Sequence, residues 1–353
     1  MKNYKFHTIS SRAWDAMLAT IKRAKKSIYW ECYIFSDDTD EHDFFNVLKE
    51  KARMGVKVKL VLDSLGSFWL ERKAINDLKE AGVEVLFYNR FLPWWNPQRF
   101  KHWWFNRNHK KLLIIDEQVA FIGGVNVAKH FTNWIDLQVE LRGAIVRYLI
   151  RSFVVSYELA GGEEEIKYKS VFKENKVRVF HHRPATEKGI LKKYYKKSLC
   201  SAKKHIVLAT PYFIPQAWLV KGLHRAWRRG VKIEIILPVK ADYWVATFAN
   251  YVLASLVYKP GIDFYFSKSM VHAKAMLIDD REAMVGSQNI DAHSFDFNME
   301  GGVVFERKDM LRSLRAILNQ WKKGSQRLIF DNGNKKWYQR LAAAIVLFLR
   351  PVL

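Results

Sequence analysis

The 353-residue sequence contains itself twice. "AKKSIYWECYIF" from Ala24 is matched by "AKKHIVLATPYF" from Ala202, and "GVKVKLVLD" from Gly55 by "GVKIEIILP" from Gly230. "AGVEVLFYN" from Ala81 is matched by "PGIDFYFSK" from Pro260, and "HKKLLIIDEQVAFIGGVN" from His109 by "HAKAMLIDDREAMVGSQN" from His272. The offsets are 178, 175, 179 and 163, and the order never changes, so two copies of one unit explain them better than four coincidences. Whatever fold one copy adopts, the chain must accommodate it twice.

Each copy reads alike. An amphipathic segment ending in Ala-Lys-Lys leads into a short apolar strand; a basic helix ends at a glycine, and a β-branched strand follows. Alternating helix and strand predicts α/β layering, each half a mixed β-sheet flanked by helices. The expected division is 1–165 for the first half, 166–330 for the second and 331–353 for a basic and apolar tail. The seam falls in "ELAGGEEEIKYKS", Glu158 to Ser170, where glycines and acidic residues interrupt the apolar pattern. Two copies stacked about a pseudo-twofold axis would build any site on that axis from both halves.

The last repeated stretch carries the chemistry. Side chains alternate along a strand, so His109 and Lys111 share a face, as do His272 and Lys274. Each copy then has an aspartate, a pair of small residues (Gly123 and Gly124; Gly286 and Ser287) and an asparagine, Asn126 or Asn289. Asp116 and Asp279 have the opposite parity to their histidines and are assigned a supporting role, either a salt bridge within the fold or orientation of a ring nitrogen. One His-x-Lys is usually a surface strand; the full spacing at matching places of a repeat marks a site. Two imidazoles, two ammoniums and two amides suit a metal poorly and a phosphodiester well. One neutral histidine attacks phosphorus while the other, protonated, serves the leaving oxygen. The expected reaction has two steps, with a phosphohistidine intermediate and neither metal nor other cofactor.

Lysine and arginine number 59 against 35 aspartate and glutamate, a formal charge of +24 that attracts polyanions without choosing among them. Cys32 and Cys200 fit neither a metal spacing nor a disulfide framework, which favours a reducing compartment. The first residues lack the apolar core of a signal peptide, and no stretch approaches the roughly 20 apolar residues that span a bilayer. "LAAAIVLFL", Leu341 to Leu349, reads either as a membrane-interface helix or as a terminal helix docked on the core. "FLPWWNPQRFKHWWFNRNH", Phe91 to His109, crowds four tryptophans among basic residues and reads either as an interfacial lip that admits acyl chains or as a loop packed over the core, the lip being favoured because a lipid must enter. "KADYWVATFANYVLASLVY", Lys240 to Tyr258, either lines an acyl groove or forms a core helix.

The paired H-x-K-x4-D-x6-G-[GS] motif resembles that of the phospholipase D superfamily. "YIFSDD" (Tyr33 to Asp38), "LVLDSLGS" (Leu60 to Ser67), "TPYFIP" (Thr210 to Pro215) and "GSQNIDAHSFDFNME" (Gly286 to Glu300) are similar to its bacterial cardiolipin synthase branch, over roughly residues 15 to 325. The resemblance implies two phospholipase D-like halves about a pseudo-twofold axis, with the active site at their interface. It also implies a phosphatidyl-transferase acting on two phosphatidylglycerol molecules and releasing glycerol. His109, Lys111, Asp116, His272, Lys274 and Asp279 would then be catalytic, with Asn126, Asn289 and Glu300 binding substrate. Glu300 matches a family glutamate whose role the sequence does not give. The repeat leaves the two histidines nearly symmetric, and family precedent alone favours His109 as nucleophile. Many relatives begin with two transmembrane helices that this sequence lacks, so membrane attachment is expected to be peripheral, at the cytoplasmic face. The expected partners are phosphatidylglycerol and anionic membrane lipids, with no nucleic acid and a monomer containing an internal pseudo-dimer. Gln138 stands where relatives often have histidine. Hydrolysis to phosphatidic acid is the alternative in the same site, and a nuclease the less favoured one.

Overall fold

The computed structural model describes residues 3–90, 105–167, 173–174, 176–184 and 189–330. The tryptophan-rich stretch up to residue 104 and the apolar tail therefore lie outside the described residues. Contacts divide the chain into two compact units. The first comprises Met1–His181 with Val285–Ser287 and Asn298–Val304; the second comprises His182–Met284, Gln288–Phe297 and Phe305–Leu353.

In the first unit the chain runs β1 (Tyr4–Ile9), α1 (Ser10–Ile21), β2 (Ser27–Cys32), α2 (Phe44–Arg53), β3 (Lys57–Asp63), α3 (Arg72–Glu80) and β4 (Glu84–Tyr88). β5 (Leu112–Ile115), β6 (Val119–Gly123), β7 (Ile135–Arg142) and α4 (Val146–Leu159) follow. The sheet order is β1-β7-β6-β5-β2-β3-β4. β2, β3 and β4 are parallel, whereas β5 pairs antiparallel to β2 and the remaining neighbours are antiparallel, so the sheet is mixed.

Strand β2 shows why both faces are covered. Ile28, Trp30 and Cys32 belong to the core that Trp14, Met17 and Ile21 of α1 and Phe44 and Leu48 of α2 close. Tyr29, at the other parity, stacks on Phe153 of α4 with centroids 5.2 Å apart. A strand between two helical layers is covered on both faces, and all six β2 residues are buried, the polar Ser27 and Glu31 among them.

The second unit repeats the plan. Past β8 (Lys173–Glu174) and β9 (Val177–His182), β10 (His205–Ala209), β11 (Lys232–Pro238) and β12 (Ile262–Ser267) are parallel, and β13 (Ala275–Ile278) pairs antiparallel to β10. The part of the second sheet lying in this unit runs β16-β12-β11-β10-β13 and then Glu282–Met284 of β14, where β14 is Glu282–Gly286 and β16 Ser325–Leu328; β15 (Glu300–Phe305) falls largely in the first unit. Even the register is kept: Ile28 faces Val58 in the first unit, and their counterparts Ile206 and Ile233 face each other in the second. The sequence repeat is thus a structural repeat, two α/β units with mixed sheets flanked by helices, as the alternation of elements predicts. The helix over Trp244–Val257 buries Ala249, Leu253 and Val257 and is a core helix, although its first turn exposes aromatic residues. Among the described residues no helix is long and apolar enough to cross a membrane.

Candidate active site

The stretch that opens β5 is held by a buried ion pair. Asp63, at the end of β3, accepts from Arg107 Nε at 3.0 Å and from its terminal guanidinium nitrogen at 2.7 Å. The same carboxylate accepts from the backbone N–H of Asn108 at 2.9 Å. Residues 107–109 then run beside 298–300, with Met299 N–H donating to Arg107 O at 2.9 Å and His109 N–H to Met299 O at 3.0 Å. This short parallel pairing, within the first unit, sets His109 against Glu300.

His109 Nδ1 lies 3.0 and 3.1 Å from the two carboxylate oxygens of Glu300, with both residues buried. An ionised carboxylate only accepts, so Nδ1 carries the proton and the lone pair falls on Nε2. Ser287 Oγ donates to the second Glu300 oxygen, and Gly301 N–H donates to Ser287 Oγ at 3.1 Å, which fixes the serine. Burial pushes the Glu300 carboxyl up, but His109, Lys111 and Ser287 together hold it below its ordinary value. Glu300 therefore stays an anion in a fully enclosed position.

Lys111 shares the face of His109. The Tyr33 ring lies 4.9 Å from the imidazole and 5.0 Å from Lys111 Nζ, which also donates to His109 O at 2.7 Å. Burial lowers the Lys111 pKa to about 8, against the pull of Glu300 and more distant carboxylates. Lys110 has the other parity and turns to Glu31, 3.1 Å away, and to Ser152. The second copy has Ala273 and Ala209 at the matching positions. The pair is present in one copy and wholly absent from the other, as expected of a structural ion pair whose members are kept or lost together.

In the second unit, Lys274 Nζ lies 2.8 Å from His272 Nε2 and also donates to His272 O. Tyr212 OH lies 2.7 Å from both oxygens of Asp242. Burial raises the Asp242 pKa while Tyr212 and Lys274 pull it down. Asn126 and Asn289 are buried. Asn126 Oδ1 accepts weakly from Ile34 N–H at 3.4 Å, and Asn289 N–H donates to Ser294 Oγ at 2.9 Å.

The aspartates of the motif sit elsewhere. Asp116 follows β5, seven residues past His109 and so roughly 20 Å along extended chain. It adopts φ +51°, and its carboxylate accepts from the backbone N–H groups of Lys25, Lys26 and Ser27 at 2.7–3.2 Å. Asp279, at φ +52°, does the same for Lys203, Lys204 and His205 at 2.7–2.9 Å. The carboxylate on the His109 ring is Glu300, not Asp116. Both aspartates pin the turn before β6 or β14 to the start of β2 or β10, which is why Ala-Lys-Lys recurs beside the motif. The repeated Lys-Lys supplies amides there rather than ammoniums. Glu300 was visible in the sequence only as a match, because its partner lies 191 residues away. Tyr33 and Asp63 carried no signal of their own beyond their places in repeated stretches, and Arg107 lies just outside one.

A duplicated α/β chain with one His-x-Lys strand per copy is the phospholipase D-like class. The family described as "Cardiolipin synthase, PLD-like domain" matches residues 17–144 and again 195–322, and the chain belongs to it. It is 30% identical over 327 residues to a probable cardiolipin synthase, YwiE, of Bacillus subtilis, covering 87% of this chain and 63% of that protein. It is 29% identical to cardiolipin synthase 2 of Bacillus anthracis, covering 98% of this chain and 70% of that one. The chain thus spans less than two thirds of the length of the first of these relatives. Among solved structures, phosphatidylserine synthase of Haemophilus influenzae has the same fold, with a TM-score of 0.73 at 14% identity over 99% of this chain and 93% of that one.

Proposed function

We propose that the chain is a phosphatidyl-transferase that makes cardiolipin from two molecules of phosphatidylglycerol. The observation that carries the reading is the carboxylate on His109 Nδ1, in a chain belonging to the family described above. His109 Nε2 attacks phosphorus of the first phosphatidylglycerol, forming an N–P bond as the P–O bond to glycerol breaks. His272 gives its proton to the departing oxygen, and glycerol leaves. His272, now neutral, takes a proton from the glycerol hydroxyl of the second phosphatidylglycerol, whose oxygen displaces His109. Lys111, Lys274, Asn126 and Asn289 hold the nonbridging oxygens.

The choice of His109 as the nucleophile follows the resemblance and is supported by the carboxylate that Glu300 places on its ring. Gly124 N–H donates to Leu137 O at 3.1 Å and its counterpart Ser287 N–H to Gly301 O at 3.0 Å, so the place of Glu300 is held in the first copy by Asp136, also a buried carboxylate. A buried anion on Nδ1 stabilises the positive charge that the ring gains when Nε2 binds phosphorus. Asp116 and Asp279 act in this scheme by holding the strands that carry the histidines. We further propose peripheral attachment at the cytoplasmic face of the membrane, action as a monomer, halves divided at 165/166, and lipid rather than nucleic acid as substrate.

The test is incubation of the purified protein with phosphatidylglycerol vesicles and a chelator, followed by mass spectrometry of the lipids. Cardiolipin with released glycerol supports the reading. Phosphatidic acid in its place would assign hydrolysis, and an unchanged lipid would reject both.

A further inference from the structure

We propose that Phe68–Trp69 and Tyr243–Trp244 are paired anchors that dock each unit on the interface of an anionic bilayer. They are among the most exposed large apolar residues of the described chain, at 67% and 87% and at 63% and 79% exposed. The offset of 175 that aligns β3 with β11 carries Phe68 onto Tyr243 and Trp69 onto Trp244. Each pair begins five residues after its strand ends, at Asp63 or Pro238. Four scattered aromatics would need no explanation. An exposed aromatic pair kept at the same place in two copies that are otherwise divergent does.

Each pair is tied to the catalytic edge of its own unit. The first follows the loop whose Ser67 Oγ donates to Tyr33 O at 3.0 Å, and a Cβ on Gly66 would lie 2.3 Å from that same oxygen. Tyr33 in turn flanks His109 and Lys111. In the second unit the pair follows Asp242, which holds Tyr212 and feels the Lys274 charge. Phe248, one turn along the helix from Trp244, is also exposed.

Three features select a lipid surface as the occupant. Tryptophan and tyrosine, amphipathic rings with a polar N–H or O–H, favour the headgroup level. The chain carries +24, which an anionic surface attracts. A surface that repeats with the catalytic unit suits a partner that is uniform and extended, which a bilayer is and a single protein epitope is not. The inference deepens the proposed lipid substrate by assigning the residues that meet its membrane, and it rests on that reading.

The test uses the full chain and two double variants, Phe68→Ser/Trp69→Ser and Tyr243→Ser/Trp244→Ser, with Trp69→Tyr and Trp244→Tyr as conservative controls. Flotation with phosphatidylglycerol vesicles is measured beside turnover of a short-chain phosphatidylglycerol kept below its micelle concentration. Each serine pair should cut vesicle binding roughly tenfold, since each removes one or two side chains' worth of apolar burial. Turnover of the monomeric lipid should be retained, and the tyrosine variants should keep most of the binding. Vesicle binding within twofold of the parent in both serine variants overturns the anchors, as does equal loss of monomeric turnover. Reduced vesicle binding in a protein that turns over no phospholipid at all would retain the anchors while rejecting the transferase reading.

Discussion

Glu300 holds His109 by Nδ1 at 3.0 Å across 191 residues of chain. The two residues belong to different copies of the repeat in sequence and to one compact unit in space. Replacing Glu300 with Gln keeps the shape and removes the anion that supports a positive imidazole. Cardiolipin formation should fall about 10²–10⁴-fold in kcat with little change in KM. An initial-rate measurement within threefold of the parent would show that the carboxylate is only structural.

Lys111 sets a basic limit on activity. Burial lowers its pKa to about 8, so the ammonium that would hold phosphate is present below that pH and lost above it. In the free enzyme kcat/KM should therefore decline as pH rises through about 8, and Lys111→Arg should move that limb upward. The linked stability has the opposite sense: the buried charge costs stability at low pH, and the cost lifts as the group deprotonates. A limb that the arginine variant leaves in place would assign it to another group.

Asp279 should matter to stability more than to chemistry. Three backbone amides hold its carboxyl below the ordinary range despite burial. Its contribution is thus present above about pH 4 and lost as pH falls through the lowered value. Asp279→Ala should cost about 1–3 kcal/mol in denaturant unfolding at neutral pH, and Asp116→Ala a similar amount. Residual activity in the folded fraction of either variant should exceed that of His272→Ala. A variant as stable as the parent yet inactive would return the aspartate to the catalytic machinery.

The Lys110–Glu31 pair can be tested against the chain's own second copy. Lys110→Ala leaves the buried Glu31 carboxylate without its cation, with the neutral Asn108 Nδ2 donor still at 3.1 Å, and should destabilise by up to about 3–5 kcal/mol. Adding Glu31→Ala reproduces the Ala209 and Ala273 combination and should recover most of that loss in thermal or denaturant unfolding. A double variant no more stable than the single one would mean that the pair contributes favourably on its own.

Much of this was legible because duplication makes a short motif specific. Strand parity alone separates Lys111, which shares the face of His109, from Lys110, which does not. Parity also sets Asp116 apart from His109, but it does not say what an opposite-facing aspartate binds. The answer lies in the turn, where a positive φ aims the carboxylate at amides 89 to 91 residues earlier. Glu300 was hidden for a different reason. Its function depends on a short pairing of 107–109 with 298–300, and neither segment is a recognisable strand in sequence. The Glu31–Lys110 pair had a signal, its replacement by two alanines in the other copy, which becomes readable once β2 and β5 are known to be neighbours.

The central claim is that His109 carries the phosphatidyl group between donor and acceptor. It is tested by brief reaction with phosphatidylglycerol labelled at phosphorus, an alkaline quench that preserves phosphohistidine, and peptide mapping. The label is expected on the peptide containing His109. Label on the His272 peptide, or turnover with no protein-bound phosphorus, would contradict the account.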